Sequence, residues 1–538
     1  MAICDDSSLS CDFSRPYDLC IIGSGAAGIA IAYKLRNTNQ RICVLESSTV
    51  NEPQRASVQL VQQHETTSSP AAQALLQANA AAGWNPDNHR YEDPVAQTLY
   101  EGELTKPMLD IDDRFLRRSR IRVFGGTTNC WGGWTRPLSE IDFDRSDMNE
   151  AWKWPISLKE LRSYYQQALE YCALDRPDHR IRPDDYENPN LWPSRTAEPA
   201  EPLASKTPDV RTAIFTAMYG GDSGGVKNGA LNFQCVYGPW LKQAGVCVER
   251  DVSVRGFEVD GRTVKAAYAT RIDRSGPEPK PGKDVTIVAK RFVLAVGGIE
   301  GPRLLLLTKD GGLGNSAGHL GQNFMIHPVI ENARYFEGPP DVVPPKVRAF
   351  YRNWPAMKMI GNEPPSFWAT YVPTDAAMRR RKIGNFRMIV DYYTQGGGKL
   401  NLNWEQFPNP KSVIELSKTK KDLFTDKRVK VDWNLLDEDL TTRDVAVELV
   451  MAELKEWGFA TEETGGFGKM IPGDHHMGAT KMSAHPKDGY VNTDCRLHEI
   501  DNLYIASSSV MPTGGVANVT LTIIALALRL ADHLAGQR

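Results

Sequence analysis

Six residues rich in strand formers, Tyr17-Asp18-Leu19-Cys20-Ile21-Ile22, end at Gly23-Ser24-Gly25-Ala26-Ala27-Gly28, and an apolar run, Ile29 to Leu35, follows at once. Strand, glycine turn and helix in that order leave few folds open. The first glycine permits the tight turn, the second lets another group come close to the backbone, and the third lets helix pack against strand. The unpaired N–H groups at such a helix start suit a phosphate. A second strand, Arg41 to Leu45, ends in Glu46, about 20 residues beyond the glycines, where a carboxylate can accept hydrogen bonds from a ribose. The unit predicts dinucleotide binding through Gly23, Gly25, Ala26, Ala27, Gly28 and Glu46.

With 538 residues the chain is long enough for two to four domains or one large interleaved one. Its 41% hydrophobic and 24% charged residues are those of a globular protein. Strand and glycine return around Arg122 to Gly126, and Val285 to Val296 runs into Gly297-Gly298 and a helix from Gly301 to Leu307. Leu158 to Cys172 reads as an amphipathic helix. Strand-like runs at Phe386 to Tyr393, Leu400 to Gln406 and Val429 to Asn434, then a helix from Arg443 to Trp457, suit a sheet-based substrate domain. The chain closes with a strand, Asn502 to Ala506, a turn at Pro512 to Gly515, and a helix from Asn518 to about Leu534. The expected class is α/β (α+β), with a Rossmann-like dinucleotide-binding domain interleaved with a sheet-based substrate-binding domain. The cofactor domain takes residues 15–150, 241–323 and 468–538, and the substrate domain takes 151–240 and 324–467.

Several partners and chemistries are set aside. A net charge of −3, from 63 basic and 66 acidic residues, leaves no electrostatic footprint for nucleic acid. No transmembrane segment is read, because the apolar stretch Leu521 to Leu528 is cut by Arg529. Nine scattered cysteines without a CxxC pair read as reduced thiols, with neither a metal site nor a disulfide framework, and the acidic amino terminus lacks a signal peptide's pattern. A cytoplasmic location follows as the default expectation. Gly312 to Gly318 imitates a second dinucleotide turn but follows polar residues, so it reads as a loop. Gly221-Asp222-Ser223-Gly224-Gly225 resembles a serine-protease nucleophile segment without the companions a triad needs. Asn518-Val519-Thr520 fits a glycosylation acceptor, yet it opens an apolar helix and is discounted.

Four segments together resemble the glucose-methanol-choline (GMC) family of FAD-dependent oxidoreductases. They are the first glycine motif with Glu46, Gly125 to Gly133 (GGTTNCWGG), Phe292 to Leu307, and the pair His475 to Met482 with Asn502 to Leu534. Order and spacing agree from residue 17 to residue 534, and the branch with pyranose oxidase and sugar or polyol dehydrogenases is the nearest. The resemblance implies FAD, held through the residues above and Gly125, Gly126, Thr128, Asn129, Cys130, Gly297, Ser507, Ser508 and Thr520. Where some members carry a histidine bonded to the flavin, this chain has Cys130, so histidyl attachment there is excluded; noncovalent FAD is expected, with a cysteinyl link at Cys130 as the alternative.

The implied reaction oxidises a CH–OH group of a sugar, glycoside or polyol. A base takes the hydroxyl proton while flavin N5 takes hydride from carbon. The family's His-x-x-Gly pattern puts the base at His475, with His476 as the competing assignment. The family's Asn or His partner falls on Asn518, which also suits a helix cap. Isolated histidines, His485 and His498 among them, read as structural. Trp404, Glu405 and Gln406 could reach a polyhydroxylated ligand but read as packing and surface. The implied partners are a small-molecule alcohol and either oxygen or a separate electron acceptor. Two alternatives share the fold, a non-oxidative flavin-dependent lyase or isomerase and a noncatalytic FAD-binding scaffold.

Overall fold

The computed structural model describes residues 11–47, 103–104, 116, 119–120, 122–129, 131, 133–172, 174, 181–191, 205–217, 219–220, 229–230, 233–275, 279–343, 366–393, 395–460, 468 and 470–536. Strands are numbered in chain order. The first sheet has seven: β1 (Tyr17–Ile22), β2 (Ile42–Leu45), β7 (Cys247–Glu249), β8 (Val252–Asp260), β9 (Thr263–Asp273), β10 (Lys280–Leu294) and β18 (Leu503–Ile505). Its parallel part runs β7-β2-β1-β10-β18, and the amino-terminal half of β10 turns outward into an antiparallel meander with β9 and β8. Buried on both faces, β1 and β2 are almost wholly apolar, as a parallel strand covered by helices must be.

The second sheet is antiparallel. It holds β4 (Val210–Ala217), β11 (Pro328–Phe336), β12 (Ser366–Pro373), β13 (Phe386–Tyr392), β14 (Gly398–Trp404) and β17 (Met470–Pro472), in the order β17-β11-β14-β13-β12-β4. A small sheet joins β3 (Glu103–Leu104), β16 (Lys427–Asp432) and β15 (Val413–Lys421), and β5 (Tyr219–Gly220) pairs with β6 (Gly229–Ala230).

Seven α-helices are described: α1 (Ala26–Leu35), α2 (Leu158–Tyr171), α3 (Phe233–Gln243), α4 (Gly297–Thr308), α5 (Asp375–Arg381), α6 (Asp437–Glu456) and α7 (Thr520–Gly536). Helix α7 packs on α1 and α2 and buries Leu521, Ile524, Leu526, Leu528, Leu530 and Leu534. Each such side chain taken from water stabilises the fold by about 1.5–3 kcal/mol. Helix α2 starts at a capping box in which Ser157 Oγ accepts from Glu160 N–H and the Glu160 carboxylate accepts from Ser157 N–H.

This is the mixed α/β class expected, with three local corrections. No strand forms at Arg122 to Gly126: Gly125 (φ 94°) and Gly126 (φ 54°) take left-handed conformations, and the Gly126 N–H closes a turn on Val123 O at 2.7 Å. Helix α4 starts at Gly297, four residues before the expected Gly301, and carries Pro302 inside it. The cysteines are not all thiols, since Cys11 is joined to Cys247 on the edge strand β7, with Cα atoms 5.5 Å apart. A pair separated by 236 residues becomes visible only once the sheet brings the segments together. The residues Gly221 to Gly225 and Cys130 lie outside the described residues.

Candidate active site

The β1–α1 junction forms a backbone-lined cradle. Gly23 has φ 97°, and a Cβ on Gly28 would stand 2.1 Å from Gly23 O, so only glycine lets the helix close on the turn. The second glycine segment docks here: Gly125 N–H donates to Ser24 O at 3.0 Å, and a Cβ on Gly126 would meet Gly25 Cα at 2.8 Å. In contrast, Cβ positions at Gly25 and Gly297 meet nothing within 4 Å, so both strand-to-helix turns border open space. Gly25 caps α1 without a side-chain hydrogen bond, which leaves the first N–H groups, at Ala26 and Ala27, for an anion. Buried Glu46 at the end of β2 holds this turn: Oε2 accepts from Ser24 Oγ at 2.5 Å and Oε1 from Ser47 N–H at 2.8 Å. Burial raises its pKa, against the pull of the Ser24 and Ser47 hydrogen bonds and the Arg122 charge. The donor set and the open glycine backbone fit the diphosphate and ribose of FAD.

The other cofactor residues fall around this cradle. Thr128 Oγ1 donates to Gly125 O at 2.6 Å within a 3₁₀ turn over Gly126–Asn129. Ser507 Oγ bonds Ser509 Oγ at 2.6 Å, whereas Ser508 Oγ donates to His476 O at 2.5 Å and so holds the histidine segment. Thr520 is the first residue of α7. Gly298 opposes the same segment so closely that a Cβ there would lie 2.5 Å from His476 O.

Two side chains from separate parts of the chain reach His475, and Arg387 stands behind one of them. Its Nε2 lies 3.2 Å from Asn518 Nδ2, and its Nδ1 lies 2.8 Å from His327 Nδ1. Arg387, buried on β13, donates to Asn518 Oδ1 at 2.8 Å and to Asn403 Oδ1 at 3.2 Å. His476 turns the other way and stacks on Phe324, with ring centroids 6.0 Å apart. Of the two adjacent histidines, then, His475 is the one brought to Asn518. The Asn518 side chain reaches Arg387 and His475, two residues ahead of α7. Burial, reinforced by the Arg387 charge and partly offset by Asp474, lowers the His475 pKa to about 4. Burial alone brings Arg387 down to about 10, which leaves it cationic at neutral pH.

Beneath this group, buried carboxylates brace the Pro512 to Gly515 turn. Glu405 Oε1 accepts from Gly515 N–H and its Oε2 from Asn385 N–H, both at 2.9 Å. Thr513 Oγ1 receives Trp154 Nε1–H at 2.7 Å and donates to Asp142 O at 2.8 Å. Burial and the nearby Asp142 raise the Glu405 pKa to about 7. The surface reading of Trp404, Glu405 and Gln406 is therefore corrected, because all three are fully buried.

The structure brings His327, which the sequence alone did not single out, into hydrogen-bond contact with His475. Its sequence signal was faint, a His-Pro step after Phe324-Met325-Ile326. Arg387 offered a clearer one, a cation inside an otherwise strand-like apolar run. No helix among the described residues is long and apolar enough to cross a membrane.

Residues 408–527 match the family model described as GMC oxidoreductase. The chain is 24% identical to the fructose dehydrogenase large subunit of Gluconobacter japonicus, over 96% of this chain and 97% of that protein. It is 23% identical to 2-methyl-1,2-propanediol dehydrogenase of Mycolicibacterium austroafricanum, over 96% and 95%. Among solved structures, pyridoxine 4-oxidase from Mesorbium loti shares the fold with a TM-score of 0.53 at 14% identity, covering 96% of this chain and 98% of that one. The GMC oxidoreductase match over residues 408–527 and these whole-length likenesses make the chain similar to GMC oxidoreductases.

Proposed function

We propose that this chain is an FAD-dependent oxidoreductase that converts a CH–OH group of a sugar, glycoside or polyol to a carbonyl. The observation that carries the reading is the contact of His475 Nε2 with Asn518 Nδ2 at 3.2 Å, in a chain whose glycine cradle fits FAD. Bound noncovalently, FAD supplies the two-electron acceptor for the hydrogen that leaves the alcohol carbon. Gly23, Gly25, Ala26 and Ala27 would hold its diphosphate, and Glu46 its ribose. Oxygen or a separate protein or quinone then takes the electrons onward.

The remaining work belongs to this chain's own side chains. A substrate hydroxyl takes the place of the Asn518 N–H on His475 Nε2. The O–H bond breaks as the N–H bond forms on Nε2, and the Asn518 amide N–H turns to the substrate oxygen. Arg387 holds that amide from behind, so its positive charge favours the negative charge that develops on oxygen. The choice of a polyhydroxylated substrate is supported by relatives named for fructose and for a propanediol.

The test is an anaerobic absorbance scan of the purified protein against sugars, glycosides, polyols and simple alcohols, followed by admission of air. Bleaching of the flavin band by a sugar or polyol is expected, and the speed of recovery in air separates oxygen from another acceptor. A His475→Ala protein should retain FAD and lose about 10²–10⁴-fold in the bleaching rate. Absence of bleaching across the panel would overturn the substrate class, and normal turnover by the variant would overturn the base.

A further inference from the structure

The segment before β11 and the segment holding His475 are locked together on both sides of the two rings. Pro328 lies opposite Pro472, Gly473 N–H donates to His327 O at 2.8 Å, and Met325 and Met477 exchange backbone hydrogen bonds of 3.0 and 2.9 Å. Between these clamps the imidazoles of His327 and His475 meet edge to face, with centroids 5.0 Å apart and planes at 85°. Two ring nitrogens 2.8 Å apart can share one proton and no more, so one ring must donate and the other accept.

The direction of that hydrogen bond follows from the far end of the chain of contacts. A guanidinium only donates, so the Asn518 atom facing Arg387 is its oxygen. The atom facing His475 is therefore the amide nitrogen, also a donor, and His475 Nε2 must accept. In the neutral ring the proton then sits on His475 Nδ1, and His327 Nδ1 accepts it. His327 carries its own proton on Nε2, which is buried against the backbone of Gly514 and Gly515. Every donor along Arg387, Asn518, His475 and His327 points the same way.

We propose that His327 is a positioning residue that fixes His475 in the Nδ1–H tautomer and leaves Nε2 bare to receive the substrate proton. The proposal rests on the reading of His475 as the base. When that proton arrives, the O–H bond breaks, an Nε2–H bond forms, and the His475 Nδ1–H to His327 hydrogen bond becomes a charge-assisted one. His327 neither touches substrate nor keeps the proton. The charged groups bearing on the histidines are Arg387 from β13 and Asp474 beside His475.

The holoprotein and three variants, His327→Leu, His327→Asn and His475→Gln, test this. Asparagine can place its oxygen where His327 Nδ1 stands and so keep an acceptor, and leucine cannot. The first readout is independent of turnover: a strongly downfield N–H proton resonance in the wild-type spectrum, lost in His475→Gln and His327→Leu and retained in His327→Asn. The second is the anaerobic flavin-reduction rate. His327→Leu should lose about 10²-fold at saturating substrate with little change in apparent substrate affinity or FAD content, and His327→Asn should recover most of it. A wild-type resonance that is missing, or that survives in His475→Gln, would overturn the pairing even if leucine at 327 prevents folding. Unchanged reduction in His327→Leu, or no recovery with asparagine, would overturn the positioning role. If no alcohol bleaches the wild-type flavin while the resonance behaves as expected, the proposed reaction fails and the tautomer assignment stands.

Discussion

Burial and the guanidinium of Arg387 hold His475 near a pKa of 4, so well above that value its ring is neutral, with the proton on Nδ1 and Nε2 bare. Flavin reduction should stay level down to about pH 5 and fall with a midpoint at about 4, as the base protonates. Arg387→Met removes one of the two causes, so the midpoint should rise toward the ordinary histidine value of 6.5. A pH profile of the reductive half-reaction in both proteins checks this, and an unmoved midpoint would show that Arg387 does not act on His475 electrostatically. The stability consequence has the opposite sense to that of a salt-bridged histidine. Below pH 6.5 the unfolded ring gains a proton that the folded ring refuses until about 4, so this group lowers stability as pH falls through that window. The family resemblance, matched to the His-x-x-Gly segment and the last helix, brought His475 and Asn518 forward. It could not reveal Arg387 and His327, whose roles come from strand register across 131 and 148 residues.

Local pattern served elements well where one face or one turn dictated the structure. The β1–α1 unit and the closing helix were legible from the order of apolar run and turn, and α2 from its apolar period and capping box. Glycine-rich segments were ambiguous, since a glycine marks a turn without saying what lies on either side. At Gly125-Gly126 it was a 3₁₀ turn in place of a strand. At Gly297-Gly298 the helix begins on the glycines themselves, because Gly298 must pass close to His476. The closeness makes α4 a wall for the histidine segment. Gly298→Ala would push a methyl group against backbone and Cβ at 2.5 and 2.8 Å, which rigid neighbours cannot accommodate. A loss of about 1–3 kcal/mol is expected from overpacking of this kind, together with a fall in flavin-reduction rate. Thermal melting and stopped-flow reduction of this variant check the two effects, and an unchanged melting temperature would mean that α4 can slide away from His476.

Over the whole molecule, fold class was readable from element order, while the Cys11–Cys247 link was not, because pairing depends on which strand becomes the edge. A cross-link closing 236 residues restricts the unfolded chain, a contribution of about 2–5 kcal/mol in small proteins. Mild reduction, or Cys247→Ser, should therefore lower the melting temperature while leaving bound FAD in place, as calorimetry and absorbance can follow; an identical melt would indicate that the link is absent in solution. A different consequence comes from the central strands. β1 stands between β2 and β10, and β10 in turn pairs with β18, while α1 rests on α7. The nucleotide cradle written in residues 23–28 thus has no finished support until residues 503–536 exist. During synthesis β1 can pair with β2 early, but its β10 neighbour and the α7 support of α1 arrive only with the second half of the chain, so completion of the cradle is a late, post-synthetic event and the incomplete chain is a natural client for chaperones.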